Sequence, residues 1–330
     1  MAPAASVIIS THNRSASLRR TVRSILRCTG GDDLYEVIVV DNGSTDDTLE
    51  VIRALTQDHS GRRLAYIREC RLGVHNARHA GARAAHAPLL LYTDDDVEVE
   101  PQWVRAYVDA FSGHPEMVAA GGPALPKWET EPAAWLRDMV ASDLASRHMC
   151  SELSLIDFGD TFHPDGGVFF SLNMAIRFDA LRMFGGFQPE LFGSRLLGPG
   201  EWGLVHVMQR AGAPIGYVPQ AMVRHRIPPE RMRPEHFERW WRTAGSATEM
   251  FERWRGRPRS AGSFFADLMR ILRSYWRSWI QALYTRRRAN ARAVRLRSHA
   301  HAGLGELVYI WWILSRRDVR EFLDAKSYWP

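Results

Sequence analysis

The stretch LLLYTDDDVEVEP, residues 89–101, decides how this chain is read. An apolar run of strand length ends in a threonine and passes directly into Asp94, Asp95 and Asp96. Three adjacent carboxylates repel one another, and no tight turn requires all three. They are best tolerated where a hard divalent cation neutralises them, because Mg²⁺ and Mn²⁺ prefer oxygen ligands and bridge carboxylate to phosphate. The triplet therefore predicts a strand that carries a metal, and through it a diphosphate, at one edge of a sheet.

Similar runs occur before it: ASVIIS (5–10), YEVIVV (35–40) and RLAYI (63–67), with PLLLYT (88–93) as the fourth. Their length and apolar character fit buried strands. Helical patterns lie between them. Leu18, Val22, Ile25 and Leu26 share one face after serine cap candidates, and Ser44 or Thr45 can cap a helix holding Leu49, Val51, Ile52 and Leu55. GVHNARHAGARAAH is rich in small residues and suits a helix packed closely on a sheet. Strands alternating with helices give right-handed βαβ units and a mainly parallel sheet, whose ligands bind beyond the C-terminal strand ends. The 11–14 stretch, Asp41 and the aspartate triplet each follow a strand, so all three reach the same edge.

The 330 residues, 45% hydrophobic and 24% charged, suffice for one large domain or one domain with an appendage. Cys28, Cys70 and Cys150 form no CxxC pair, which argues against a disulfide framework or zinc ribbon and fits a reducing compartment. MAPAASVIIS lacks the basic start and long apolar run of a signal peptide. The apolar candidate GLGELVYIWWIL (303–314) is too short to span a bilayer and carries Glu306. A cytoplasmic location is expected. The net charge of +6 is uneven: residues 231–330 hold 21 Arg/Lys against 9 Asp/Glu, and residues 1–230 hold 22 against 28. An acidic body with a basic tail implies two working surfaces, the tail facing something anionic.

SVIISTHNR, VIVVDNGSTDDT, GVHNARHAGARAA and LLYTDDDVEVEP, in that order and spacing, resemble the family 2 glycosyltransferases of GT-A fold. The resemblance continues through FFSLNMAIRFDALRMFGGF, GPGEWGLVHVMQRAG and VRHRIPP, covering roughly residues 5–228. It implies an α/β, Rossmann-like GT-A architecture, with a mostly parallel central sheet flanked by helices. Residues 1–228 are read as the catalytic domain, with a nucleotide-binding half (1–123) and an acceptor-side half (124–228), and residues 229–330 as a basic, tryptophan-rich helical extension.

The resemblance also implies roles. Thr11, Asn13, Arg14, Asp41, Arg78, Asp94 and Asp95 would contact the nucleotide donor, with Asp94 on the ribose or metal. Asp96 would bind Mn²⁺ or Mg²⁺ directly, and His225 would supply a further contact to the metal or the diphosphate. Asn173 and Trp202 fall on the acceptor side. Relatives carry an acidic pair where this chain reads Gly200-Glu201-Trp202, and their general base is commonly the second member. Tryptophan stands there, so the proton acceptor is expected at Glu201, with Trp202 as a stacking platform for sugar. Asp157, Asp160 and Asp165 are the alternatives.

The residue chemistry stands beside these roles. The guanidinium of Arg78 is a permanent cation with fork geometry suited to a diphosphate or to a base carbonyl edge. A neutral imidazole at His225 can ligate Mn²⁺. His75 and His79 have the i, i+4 spacing of half a zinc site, but no HExxH glutamate accompanies them, so they are read as structural. Gly198, Gly200 and Gly203 spell GxGxxG without a preceding strand and are not read as a dinucleotide fingerprint. Residues 124–165 fit the strand–helix rhythm poorly: PALPKWETEPAAWLRDMV opens on turn residues and becomes helical, an insertion beside the acceptor side whose Trp128 and Trp135 are packing residues or sugar contacts.

The tail holds eight of the twelve tryptophans, and FFADLMRILRSYWRSWIQALYTRRR (264–288) interleaves arginines with apolar residues at helical spacing. That pattern suits either an interfacial helix on an anionic membrane or a helix packed on the catalytic domain. Nucleic acid is not expected beside an acidic body. The functional expectation is a metal-dependent inverting glycosyltransferase, using a UDP-sugar and a saccharide or lipid-linked saccharide acceptor. Its rivals are a catalytically degenerate nucleotide-sugar-binding module and a nucleotidyltransferase.

Overall fold

The β-branched and leucine-rich runs form four parallel strands: β1 (Ala5–Thr11), β2 (Tyr35–Asp41), β3 (Leu64–Arg68) and β4 (Leu89–Asp94). The structure is a computed structural model that describes residues 2–330 apart from 31–33, 59–62, 190, 193–194, 197 and 287. β1 lies between β2 and β4, and β3 pairs outside β2. The register sets Thr11 opposite Asp41 and Ser10 opposite Asp94, so the polar clusters share one edge as the alternation predicts.

The chain continues through β5 (Val97–Val99), β6 (Ala119–Gly121), β7 (Ala124–Trp128), β8 (Met149–Cys150), β9 (Leu155–Ile156) and β10 (Met174–Arg177). The last strands are β11 (Leu191–Phe192), β12 (Arg195–Leu196), β13 (Ile215–Tyr217) and β14 (Val223–Ile227). The main sheet has the order β13-β6-β10-β4-β1-β2-β3, with β10 antiparallel to both neighbours. Side-chain alternation splits each inner strand between two cores. Val7 and Ile9 face α1 (Ser15–Leu26), α2 (Thr48–Asp58) and α4 (Trp103–Gly113), which follows α3 (Val74–Ala84) in the chain. Ile8 faces α3 itself, where a Cβ on Gly81 would fall 2.4 Å from Ile8 Cγ2; only glycine permits this approach.

The helix caps differ from the local expectation. Ser44 spends its hydroxyl on the Asn13 N–H, while Asp46 accepts from the backbone of both Ser15 and Thr48. One carboxylate thus serves the first turns of α1 and α2, a pairing fixed by the sheet and not by neighbours in sequence.

Residues 124–165 also depart from the reading as a turn followed by a helix. β7 is a strand in a second sheet of order β5-β14-β7-β9-β8. Pro126 is tolerated because β7 pairs with β9 only at Ala124, leaving its missing N–H on an open side. α5 (Ala134–Arg147) covers that sheet, with Trp128 and Trp135 packed against its core.

After the short α6 (Phe178–Met183) and α7 (Glu201–Arg210), the chain becomes helical from Pro229. α8 (Pro234–Trp240) joins the α5 core; α9 (Ser246–Trp254), α10 (Ala261–Thr285), α11 (Ala291–Ser315) and α12 (Arg317–Asp324) build another. Within it, fully buried Glu306 accepts from Arg270 and Tyr275. No helix among the described residues is long and apolar enough to cross a membrane.

Candidate active site

A cleft of about 910 Å³ opens at the strand ends. Ser10 to His12 and Arg14 enter it from the end of β1 and the loop after it, Asn42 after β2, and Asp94 to Asp96 from the end of β4 onward. Leu72 to Val74 and Arg78 close it from the start of α3, and Arg231 reaches in from beyond β14.

The three aspartates divide their surroundings. Asp94 is the most open, its side chain about a third exposed (35%). Asp95 is buried, accepting from Thr11 Oγ1 at 2.7 Å and from Arg14 Nη1 at 2.9 Å. Burial pushes its carboxyl up to about 6 despite Arg14, and the neighbouring Asp96 charge adds to the rise. Burial acts on Asp96 in the same direction, but His225, Arg231 and Arg14 outweigh it and hold that carboxyl well below the usual range. Arg14 also donates to Asp96 Oδ2 at 3.0 Å, so one guanidinium straps both carboxylates.

His225 reaches this corner because β14 runs antiparallel to β5, setting it opposite Val97, the residue after Asp96. The Arg226 N–H donates to the Asp96 carbonyl at 2.9 Å and locks the approach. Nδ1 of His225 lies 2.8 Å from the Leu153 carbonyl, which can only accept, so Nδ1 carries the proton. The other ring nitrogen, Nε2, thereby lies 3.5 Å from Asp96 Oδ1 and 3.0 Å from Arg231 Nη1. An oriented imidazole beside an ionised carboxylate is a cation-binding arrangement, and a guanidinium occupies it here.

Arg78 is buried on α3. It donates to Ser171 Oγ at 2.5 Å, lies 3.5 Å from Asp94 Oδ1 and 3.6 Å from Glu201 Oε2, and stacks over Phe187. One fixed cation thus spans the aspartate triplet and Glu201. Glu201 opens α7, aimed by Gly200, whose φ of 57° suits glycine. The Trp202 ring is partly buried edge-to-face on Phe170 and tilted against His206, so much of its surface is spent on packing.

Several expected contacts sit differently. Asn173 does not line the cleft: its amide donates to the Pro123 and Ala221 carbonyls and accepts from Trp103 Nε1 and Tyr107 OH. All four hydrogen-bonding positions are filled, so the expectation of a free acceptor-side amide is corrected to a structural pin. Asn13, in a left-handed conformation, clasps the Thr45 backbone and links the loops after β1 and β2. Asp41 lies beneath the cleft and accepts from Tyr66 OH and the Ser44 N–H, both at 2.7 Å. Burial works against those hydrogen bonds, which still keep its carboxyl below its ordinary value. His79 accepts the Phe187 N–H and packs on Trp329, as a structural histidine would. Arg231, Ser171 and His12 were not singled out in the sequence; only strand pairing brings Arg231 to Asp96.

A model of glycosyl transferase family 2 matches residues 6–181. A validoxylamine A glucosyltransferase of Streptomyces hygroscopicus subsp. limoneus is 41% identical over 113 residues, 34% of this chain and 24% of that protein. The glycosyltransferase AglE of Haloferax volcanii is 30% identical over 111 residues, 34% of this chain and 36% of that protein. A PGL/p-HBAD biosynthesis glycosyltransferase of Mycobacterium bovis is 36% identical over 115 residues, 35% of this chain and 44% of that protein. The chain thus spans less than half the length of these curated relatives. Among solved structures, the mannosyltransferase PcManGT of Pyrobaculum calidifontis, in complex with GDP-Man and Mn²⁺, superposes with a TM-score of 0.60 at 17% identity, covering 95% of this chain and 88% of that one. The fold is of GT-A type, and the chain belongs to glycosyl transferase family 2.

Proposed function

We propose that the chain is a metal-dependent, inverting glycosyltransferase moving a sugar from a nucleoside diphosphate, UDP in this reading, to a hydroxyl of a saccharide or lipid-linked saccharide. The observation carrying this is the meeting of Asp96, Nε2 of His225 and two arginines at the cleft. A corner that gathers cations around a buried carboxylate fits Mn²⁺ or Mg²⁺. Among the described residues no group of three or more His, Cys, Asp or Glu is placed to hold a metal ion by itself. Donor phosphate oxygens and water would complete the shell, as is usual for such ions. When bound, the metal supplies positive charge to the departing diphosphate.

The chain's own residues do the rest. Thr11 and Arg14 hold Asp95 and Asp96 in place, with Asn13 and Asp41 fixing the loops of the nucleotide pocket. Arg78 faces the diphosphate, and Asp94, the most open carboxylate, the ribose or the metal. Glu201 takes the proton of the acceptor hydroxyl as that oxygen bonds to the anomeric carbon. The carbon's bond to the diphosphate breaks on the opposite face, so configuration inverts. The exposed edge of Trp202 borders the acceptor. In this reading the basic tail meets an anionic membrane at its cytoplasmic face, which suits a lipid-linked acceptor.

The test is nucleoside diphosphate release from a panel of UDP- and GDP-sugars, with Mn²⁺ or with excess chelator, and the anomeric configuration of any product by NMR. GDP-sugars belong in the panel because the structurally similar mannosyltransferase was solved with GDP-mannose. Donor binding without release would leave a degenerate sugar-nucleotide module. Diphosphate formed from a sugar phosphate and a nucleoside triphosphate would make it a nucleotidyltransferase.

A further inference from the structure

The helical region ties some of its arginines into ion pairs and leaves others unpaired, one group of them clustered along α10 and into α11. Arg253, Arg257 and Arg270 converge on Asp267; Arg259 meets Asp324, Arg295 meets Asp143, and Arg297 meets Glu238. Arg273, Arg277, Arg286, Arg288 and Arg292 have no carboxylate partner among the described residues, and Arg277 lies over the Trp276 ring. All five are exposed, on α10, the turn after it and the first turn of α11.

The same stretch leaves a long apolar row in solvent. Phe265, Leu268, Leu272, Trp276, Ile280 and Leu283 recur every three to four residues along one side of α10, with Phe265 65%, Trp276 48% and Leu283 75% exposed. Over five turns the row is about 27 Å long. α11 runs antiparallel beside it, Tyr275 against Gly303 and Trp279 against Ala300, and bears its own exposed row of Leu304, Val308 and Trp311. Arg273 and Arg277 each follow an apolar member of the α10 row and so flank it. At the turn, a hollow of about 480 Å³ is lined by Tyr284, Arg288, Asn290 and Arg292.

We infer that this face of α10, with the hollow at the α10–α11 turn, is where the protein docks on an anionic lipid bilayer, apolar row in the acyl boundary and unpaired arginines on headgroup phosphates. This deepens the membrane part of the function proposed above and rests on it. Charge complementarity selects the occupant. A lipid surface supplies the phosphates that five uncompensated guanidinium groups need. A second copy docked by the same face would set these arginines against each other.

The experiment is co-sedimentation of the full chain with vesicles of phosphatidylcholine alone or mixed with phosphatidylglycerol, with Mn²⁺-dependent nucleotide binding measured in parallel. Binding is expected only to the mixed vesicles and should weaken as salt is raised. Each arginine near the surface contributes about fivefold in affinity, so Arg273→Gln/Arg277→Gln/Arg286→Gln should lose about 100-fold. Leu272→Ser/Trp276→Ser should also release the protein, while the ion-paired control Arg317→Gln should bind as the wild type does. Equal behaviour with both vesicle types overturns the inference, as does a concentration-dependent dimer that Leu272→Ser/Trp276→Ser abolishes. Vesicle binding without nucleotide binding would instead sink the glycosyl-transfer reading and leave the docking face standing.

Discussion

Arg231 sets Nη1 3.0 Å from His225 Nε2 and Nη2 3.5 Å from Asp96 Oδ2, so one side chain fills the corner between the two groups best suited to a divalent ion. In the proposed reading, metal and guanidinium compete for that place. Arg231→Met should tighten Mn²⁺ binding in the absence of nucleotide by about tenfold, the worth of one charge-assisted hydrogen bond. Asp96→Asn should abolish it. Electron paramagnetic resonance of free Mn²⁺ reads both, and an unchanged affinity in Arg231→Met would remove the competition from the account.

Glu201 stands at the head of α7, 3.6 Å from Arg78, which lines the cleft. Glu201→Gln keeps shape and deletes the proton acceptor, so turnover should fall on the order of 10² to 10⁴ with donor affinity nearly unchanged. Stopped turnover assays and calorimetric donor titration separate the two quantities. A variant retaining most of its turnover would move the base to Asp157, Asp160 or Asp165.

Asn173 is predicted to act on stability and not on acceptor affinity. Asn173→Ala orphans Trp103 Nε1 and Tyr107 OH in the core along with two backbone carbonyls. The expected loss is about 2–4 kcal/mol in urea unfolding. A rise in acceptor KM with unchanged stability would restore the acceptor-side role.

Burial holds His75 down to about 4 and His79 to about 3, with nearby arginines acting in the same direction. A base that protonates less readily when folded leaves the unfolded chain binding more protons between pH 6.5 and those values. Its contribution is complete above pH 6.5 and is lost as pH falls toward 3. Thermal melts should decline below pH 6.5, and His79→Gln, which can still accept the Phe187 N–H, should flatten that decline. Parallel acid limbs in the two proteins would contradict this.

The parallel half of the sheet was legible because β1, β2 and β4 are buried on both faces and read as unbroken apolar runs, while the polar residues that follow them mark the ligand edge. What stayed hidden depended on pairing across long separations. Pro126 made β7 look like a turn, since sequence does not reveal that its β9 side is unpaired there. Asp46 caps α1 from 31 residues away, beyond the reach of a local capping rule. Arg231 follows a proline-rich turn, and nothing nearby says that β5–β14 pairing will bring it to Asp96. Asn173 had the chemistry of a sugar contact but met four buried partners instead.

The contact of Trp329 with His79, beside Gly186 and one position from Arg78, bears on the order in which the protein is made. α3 leaves the ribosome well before Trp329, yet the wall behind it is supplied by this residue translated after α12. The parallel strands can form early, but the packing of His79 must wait for Trp329. During synthesis the outer packing of α3 therefore stays incomplete on that side, and its completion follows emergence of the helical region.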